Sequence, residues 1–547
     1  MAKGILVSYA GYPYTPSSLM PDNGLASLAG SLINNGHDVK IIDYGTIDTI
    51  RRLIPAEVTP ELEKCYDSFM SKNPLSKLYS FFKLERIDRK LQVHQDREVS
   101  KLAQELSDIV SIEKADFVGF KLWGGDGFSG TATIVNKLRK DHPNVKIFGG
   151  GPHAYLFKGR IFDRIPLDAL CYDEGEITIL GLAEYSIGKR NLESIPNLLF
   201  YKDSRMQMTP LEKITDLNSL PMPIYDPEIY PSMIGNQKMN FFVVDESRGC
   251  VNSCPFCPQS AREDNRYRAK SAKRTVDEIE ILYNKFNSSL FRLGGQMTPG
   301  RLQEKIAEEI LNRNLNVIYS AFGYINTMRN TDFDLLYKAG LRAIFYGIES
   351  GSPSILRSTF EKKLNLPLAQ DIIKRAKRSG IYISFSLIYP SPFETESTTK
   401  ETLEFISRTS PDSVLVYFPG IYPNTLWAKE PSKYGFELKL PISDYESLVM
   451  DYKIKNIFPP RFWTPLPYKV GGKSFRKFSK ETERLMKLLK NNSIGLFLAD
   501  EHFIMSLRLK EDPNYFSNRV RREFYSGNYN YASDLVWRIN QNESLKI

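Results

Sequence analysis

Short apolar runs alternate with segments of helical period along most of the chain. GILVSY (residues 4–9) ends in a Gly/Pro/Ser loop, GLASLAGSLINNG (24–36) has helical spacing and stops at Gly36, and DVKIIDY (38–44) is apolar again. Strand, helix and strand make the βαβ unit of a parallel sheet. After a polar, helix-rich insertion at about 46–100, the rhythm resumes with ADFVGFKLW (115–123), a helix near 127–140, VKIFGG (145–150), a helix near 154–163 and DALCYD (168–173). This pattern predicts an α/β, doubly wound, Rossmann-like domain over residues 1–204, with ligands at the C-terminal ends of its strands. The glycine loops WGGDG and FGGGPH fall at those ends, where glycine lets a bulky ligand approach the backbone. Neither is a G-x-G-x-x-G fingerprint opening the first helix, and tight turns without a ligand are the competing reading.

Prolines crowd DLNSLPMPIYDPEIYP (216–231) and resist both helix and sheet, which places a linker at 205–238. From NFFVVDESRGC (240–250) the alternation returns. SLFRLGG (289–295), VIYSAFGYI (317–325), AIFYGIES (343–350), IYISFSLIYP (381–390) and SVLVYFPG (413–420) follow, separated by helical stretches. Six such repeats predict a partial (β/α)6, TIM-like barrel over 239–430. Beyond about 430 strand patterns cease, and TERLMKLLKNN and residues 497–547 predict a mainly helical C-terminal domain, 431–547.

Composition narrows the class. Of 547 residues 42% are hydrophobic and 25% charged, and no apolar run approaches the ~20 residues of a membrane span. The first residues carry no secretory cleavage pattern, so a cytoplasmic protein without membrane association is expected. The charge of +9 is dispersed, with no stripe of Arg and Lys interleaved with aromatics, and nucleic acid is not an expected partner. Five cysteines are too few for a disulfide framework in a chain of this size. Cys65 and Cys171 read as buried thiols.

The other three lie together in CVNSCPFC: Cys250, Cys254 and Cys257. Their spacing does not match the paired modules of tetrahedral zinc sites. Three ligands on one short loop suit an iron–sulfur cluster with one iron left open to a small molecule. A zinc site completed by a distant His or Asp, and a chance group of surface thiols, are the alternatives.

This loop resembles the Cys-x3-Cys-x2-Cys loop of radical SAM enzymes, with Phe256 in the aromatic position that touches adenine. LGGQM (293–297), AGLRAIFYGIESGSPSIL (339–356), FSLIYPSPFETEST (385–398) and YFPGIYPNT (417–425) resemble further strand motifs of that family, in the family's order. The resemblance implies a 4Fe-4S cluster on the three cysteines and S-adenosylmethionine (SAM) contacts from Phe256, Gly294, Gly295, Gln296, Glu349 and Ser386. The family usually has Glu where Gln296 stands. MPDNGLASLAGSLINNGHDVKIIDY (20–44), FGGGPHAYLF (148–157) and YDEGEITI (172–179) resemble the cobalamin-binding domain that precedes the barrel in one subfamily. Cobalamin contacts are then implied for Tyr14, Ser17, Trp123, Gly124, Gly125, Gly149, Gly150, Gly151, His153, Glu174 and Gly175. The Asp-x-His-x-x-Gly loop that ligates cobalt in other cobalamin domains is absent, so His153 is expected to orient its loop.

The implied function is a cobalamin-dependent radical SAM C-methyltransferase. An electron donor such as flavodoxin or ferredoxin reduces the cluster, SAM is cleaved, and methylcobalamin gives its methyl group to a carbon of a small-molecule or peptide substrate. Ordinary acid–base groups cannot activate such a carbon, so the cofactors carry the chemistry. A cobalamin-dependent rearrangement or cyclisation without methyl transfer, and a non-catalytic cobalamin or iron–sulfur sensor, are the competing readings. Tyr389, Tyr417 and Tyr422 are expected along the substrate cavity, and the protein is expected to be a monomer or weak dimer.

Overall fold

A computed structural model describes residues 1–71, 73–453, 462–496 and 498–541. The first sheet contains, in spatial order, Asp38–Asp43, Lys3–Ser8, Phe117–Lys121, Lys146–Gly150 and Ala169–Cys171, all parallel, followed by the antiparallel strands Leu198–Lys202 and Arg205–Met208. The sheet therefore runs one strand past the expected end of its domain at 204. Residues alternate between its faces. Leu6, Phe117 and Phe148 join Leu25, Leu32 and Leu182 on one side, whereas Ile5, Val7 and Val118 join Leu102, Ile134 and Leu138 on the other. Helices Asn23–Asn34 and Glu176–Ser186 cover the first face, and Pro74–Glu113 and Asp126–Asp141 the second, which is the doubly wound arrangement. The inserted helices run to Glu113, beyond the expected limit near 100.

The second sheet follows chain order: Phe241–Val244, Leu290–Leu293, Ile318–Gly323, Leu341–Glu349, Tyr382–Ile388 and Ser413–Tyr417, all parallel. These six strands form the partial barrel. Gly495–Leu496 adds a short seventh strand from the C-terminal region beside Ser413–Tyr417. That region is mainly helical, with Phe475–Asn491, Asp500–Leu509, Pro513–Ser526 and Tyr529–Asn540. It also holds a small antiparallel sheet, Phe436–Leu438, Tyr468–Val470 and Lys473–Ser474, which the apolar pattern did not signal because its strands have two or three residues. The last residues of the expected helical tail, 542–547, lie outside the described residues.

The two sheets are held against each other along the linker. Tyr230 donates its hydroxyl to Asp43 and accepts from the Asp22 amide at 2.9 Å. Asn23 reaches Asp245, just past the first barrel strand, at 2.9 Å. A Cβ at Gly30 would lie 2.2 Å from the Met222 carbonyl, so only glycine permits the linker to press on that helix. The strand ends of the first sheet and its Gly149–Gly151 loop thus face the mouth of the barrel. Cys65 and Cys171 are buried.

Candidate active site

The cysteine loop follows the first barrel strand through a two-residue ladder, Ser247–Arg248 against Arg268–Ala269. Gly249 turns the chain at φ +79°, where a Cβ would lie 2.1 Å from the Arg266 carbonyl. Cys254 is buried and Cys250 and Cys257 are half-buried, all as free thiols. The Cys250 sulfur accepts the Asn252 N–H at 3.4 Å, and the Ser260 hydroxyl donates to the Cys254 and Cys257 carbonyls at 2.5 and 2.8 Å. Burial pushes the Cys254 thiol up to about 12, with Cys257 and Cys250 adding to the shift and Lys362 opposing it, and burial likewise raises Cys257. What fits the loop to a metal cluster is the placing of three thiols on one short turn, where bound iron would supply the positive charge that holds them as thiolates. Among the described residues no three His, Cys, Asp or Glu converge on one point as ligands of a single ion would. Thiolates of an iron–sulfur cube, each on a different iron, need not converge.

Gln296 accepts the Gly249 N–H at 3.1 Å, joining the loop after the second barrel strand to the cysteine loop. Beneath both lies fully buried Glu246, which accepts the Gly295 N–H at 3.0 Å and the Thr298 and Ser247 hydroxyls at 2.6 and 3.0 Å. A Cβ on Gly295 would lie 2.1 Å from the Ser247 oxygen and 2.2 Å from a Glu246 carboxylate oxygen. On the fourth strand Glu349 has φ +68°, a left-handed conformation that costs a non-glycine residue roughly 1–3 kcal/mol and clusters at functional sites. The strand register shifts between Gly347 and Glu349. The Glu349 carboxylate accepts the Ser386 hydroxyl at 2.9 Å and pairs with Lys362 at 3.2 Å. Phe256 meets Phe360 edge-on at 5.2 Å and Trp427 at 5.6 Å, and the Trp427 backbone N–H donates to the Pro255 carbonyl at 3.1 Å. Lys362 and Trp427 stand outside the quoted stretches, Glu246 lies unmarked within NFFVVDESRGC, and no spacing in the chain signals their roles.

Between the first sheet and the cysteine loop lies a cleft of about 280 Å³. Its inner end is apolar, with Leu6, Leu25, Phe148, Ile179 and Leu182 around Gly119. Its mouth gathers Gly149, Gly150, Gly151, Glu174 and Gly175 from the first domain and Asp245, Arg248, Arg262, Gly294 and Gln296 from the barrel. Arg248 pairs with Glu176 at 2.5 Å, Arg268 with Glu174 at 2.5 Å, and Lys213 with Asp173. Burial opposes ionisation of Glu174 and Glu176, yet Arg268 and Arg248 hold both below the usual carboxylate range. Exposed glycine backbone, an apolar inner end and a paired ionic rim fit a large ligand with one flat apolar portion.

The remaining expected residues lie elsewhere. The Trp123 indole N–H donates to Ser8 at 3.0 Å, and the Lys121 ammonium sits 4.6 Å from its ring. A Cβ on Gly124 would lie 2.8 Å from the His153 ring, and the Gly125 N–H donates to the Met450 carbonyl at 3.3 Å. His153 packs 4.4 Å from Phe157 with Nε2 3.4 Å from the Met450 carbonyl, and burial lowers it to about 4. It is a neutral ring braced against residue 450. Tyr14 stands edge-on to Tyr12 at 4.7 Å, and Ser17 donates to Glu501 at 3.3 Å. Tyr389 pairs its hydroxyl with Thr399 at 3.2 Å. Tyr417 and Tyr422 keep 48% and 43% of their surface accessible, and neither lines the cleft between the domains.

Residues 247–406 match the Radical SAM superfamily. An uncharacterized methyltransferase of Pyrococcus horikoshii is 28% identical over 346 residues, 61% of this chain and 74% of its own. The anaerobic magnesium-protoporphyrin IX monomethyl ester cyclase of Rubrivivax gelatinosus is 27% identical over 288 residues, half of each chain. The structure of the radical S-adenosylmethionine methyltransferase TsrM from Kitasatospora setae, with cobalamin and a [4Fe-4S] cluster bound, superposes with a TM-score of 0.66 at 13% identity, covering 97% of this chain and 100% of that one. The whole chain therefore shares that fold.

Proposed function

We propose that this chain, a radical SAM protein in its barrel and similar in fold to a cobalamin-binding methyltransferase throughout, is a cobalamin-dependent radical SAM enzyme that transfers a methyl group to carbon. One observation carries the reading: the cleft at the cysteine loop is lined from both domains at once, by Gly149–Gly151 and Glu174 on one side and by Gly294 and Gln296 on the other. Two cofactor-binding surfaces so placed share one reaction space.

When bound, the cluster supplies single electrons, SAM an adenosyl group able to take hydrogen from carbon, and methylcobalamin a transferable methyl group. Cys250, Cys254 and Cys257 would hold the cluster. Glu349, fixed by Ser386 and Lys362, presents a carboxylate at the strand ends where the cationic end of SAM would sit. Gln296 and Glu246 hold the glycine loop and cysteine loop in one register. Phe256, wedged beside Phe360 and Trp427, offers a fixed aromatic wall for adenine. The Arg248–Glu176 and Arg268–Glu174 pairs clamp the first domain onto the barrel and limit water entry, which radical chemistry requires.

The cyclase relative supports a second reading, in which the same cofactors close a ring or rearrange carbon without methyl transfer. Anaerobic turnover with methyl-labelled SAM separates the two. Methylation places the label on a product carbon. A product without label from active protein contradicts it.

A further inference from the structure

The C-terminal helix Asp500–Leu509 occupies the hollow of the open barrel. Phe503 stacks on Tyr382 of the fifth strand, centroids 3.9 Å apart and planes at 19°. Ile504 joins Phe241, Leu290, Ile318 and Ala343, from four other strands, in one apolar cluster. The first turn of this helix thereby carries two carboxylates inside the barrel. The Asp500 side chain is 2% accessible and that of Glu501 13%.

Arg292 lies 3.2 Å from Asp500 and 3.6 Å from Glu501, its guanidinium 4.5 Å from the centre of the Phe322 ring. Ser320 donates to Asp500 at 2.6 Å, and Ser17, from the first domain, to Glu501 at 3.3 Å. Two carboxylates thus face one guanidinium, an excess of negative charge in a space poor in water. Buried polar groups are nearly always paired, yet several here are not, Arg292 Nε among them although it lies 3.2 Å from Asp500. Among the described residues neither Glu501 Oε2 nor the fully buried Ser384 hydroxyl has a hydrogen-bond partner. Ser384 shares the inward-facing parity of Tyr382 and lies beside Phe345 in the strand register. Tyr417, half accessible, lies at the end of the sixth strand, and burial with the charges of Glu349, Glu501 and Asp500 raises its hydroxyl.

The geometry points to a substrate bearing a protonated nitrogen, which binds at the Asp500–Glu501 pair inside the barrel. The word substrate rests on the function proposed above; the cation preference rests on these residues alone. An ammonium group balances the charge and supplies a donor for Glu501. The Phe322 ring, facing the Arg292 guanidinium at 4.5 Å, adds to an environment that favours positive charge. Bound there, the substrate extends toward Glu349, where the reacting carbon must meet SAM. Without a ligand, a proton takes the cation's place: burial, and then Glu501, push the Asp500 carboxyl up to about 7. The titratable neighbours of Asp500 are Glu501, Arg292, Tyr417 and His502.

Calorimetry on the full-length holoenzyme under anaerobic conditions tests this with phenethylamine, phenethyl alcohol and phenylacetate as probes, and SAM as a separate ligand. Phenethylamine is expected to bind at least about tenfold more tightly than the other two, and Glu501→Gln to weaken it by about the same factor, the loss of a hydrogen bond to a charged group. Its affinity should rise between about pH 6 and 8 as the shared proton leaves. Equal binding of amine and alcohol by wild-type protein overturns the assignment, as does undiminished amine binding by a folded Glu501→Gln. Failure of the holoenzyme to bind SAM, with the amine preference intact, would instead overturn the proposed function.

Discussion

Ser386 donates its hydroxyl to Glu349 at 2.9 Å, across two neighbouring strands and onto a residue whose backbone is left-handed at φ +68°. The bond, with Lys362 on the other carboxylate oxygen, fixes a buried anion at the barrel mouth. Glu349→Gln leaves the Lys362 ammonium buried with the Gly347 carbonyl but no opposite charge, so denaturant unfolding should show a loss of about 3 kcal/mol. Ser386→Ala removes one hydrogen bond and should cost about 1 kcal/mol. Both variants should bind SAM more weakly in equilibrium dialysis, Glu349→Gln the more so. SAM affinity unchanged in Glu349→Gln would remove this residue from the binding site.

Gly295 lies over Glu246 and Ser247 with no room for a methyl group. Gly295→Ala should cost about 1–3 kcal/mol through overpacking and, by displacing the loop tied to Gly249, lower iron and sulfide content after reconstitution. Wild-type iron content in Gly295→Ala would show that the cysteine loop does not depend on Glu246.

Arg268 crosses from the cysteine-loop flank to Glu174 in the first domain. Arg268→Ala takes from a buried carboxylate its nearest cation, leaving the Ile214 N–H at 3.1 Å and Arg248 at 3.9 Å, with an expected loss of about 1–3 kcal/mol. Corrinoid retention on gel filtration should fall with it, while the cluster absorbance per folded protein holds.

Asp500 gives a pH signature. Its carboxyl is raised from 3.8 to about 7 in the folded chain, so the folded state keeps a proton that the unfolded state releases. Its contribution is therefore complete below about pH 4 and is lost as pH rises to about 7. Asp500→Asn, which cannot ionise, should gain on the wild type by ~1–3 kcal/mol across that interval, read from denaturant midpoints. A constant difference across that interval would place the titration on another group.

Much of the architecture was legible in the chain because its strands are buried on both faces and read as apolar runs. GILVSY, VKIFGG and AIFYGIES all fall on parallel strands of the two sheets. The trio Cys250, Cys254 and Cys257 was legible because metal ligands on one loop are close in sequence. Long-range partners were not. Ser320 and Asp500 meet across 180 residues, and nothing in TERLMKLLKNN or the stretch after it signals a helix inserted into a barrel. The strands Phe436–Leu438 and Tyr468–Val470 are too short for an alternation to register. The glycine loops divided: Gly149–Gly151 face the cleft, whereas Gly124 and Gly125 pack against His153 and residue 450, a distinction set by tertiary contact.

Absorbance of the anaerobically purified, reconstituted protein, with iron, sulfide and corrin assayed on the same sample, tests most directly whether two cofactor surfaces meet at this cleft. Cluster and corrin bands should both appear in wild type, and Cys254→Ala should lose the cluster bands while keeping the corrin. A protein replete with iron, sulfide and cobalamin that shows neither band, or a Cys254→Ala variant with an intact cluster spectrum, would contradict the account.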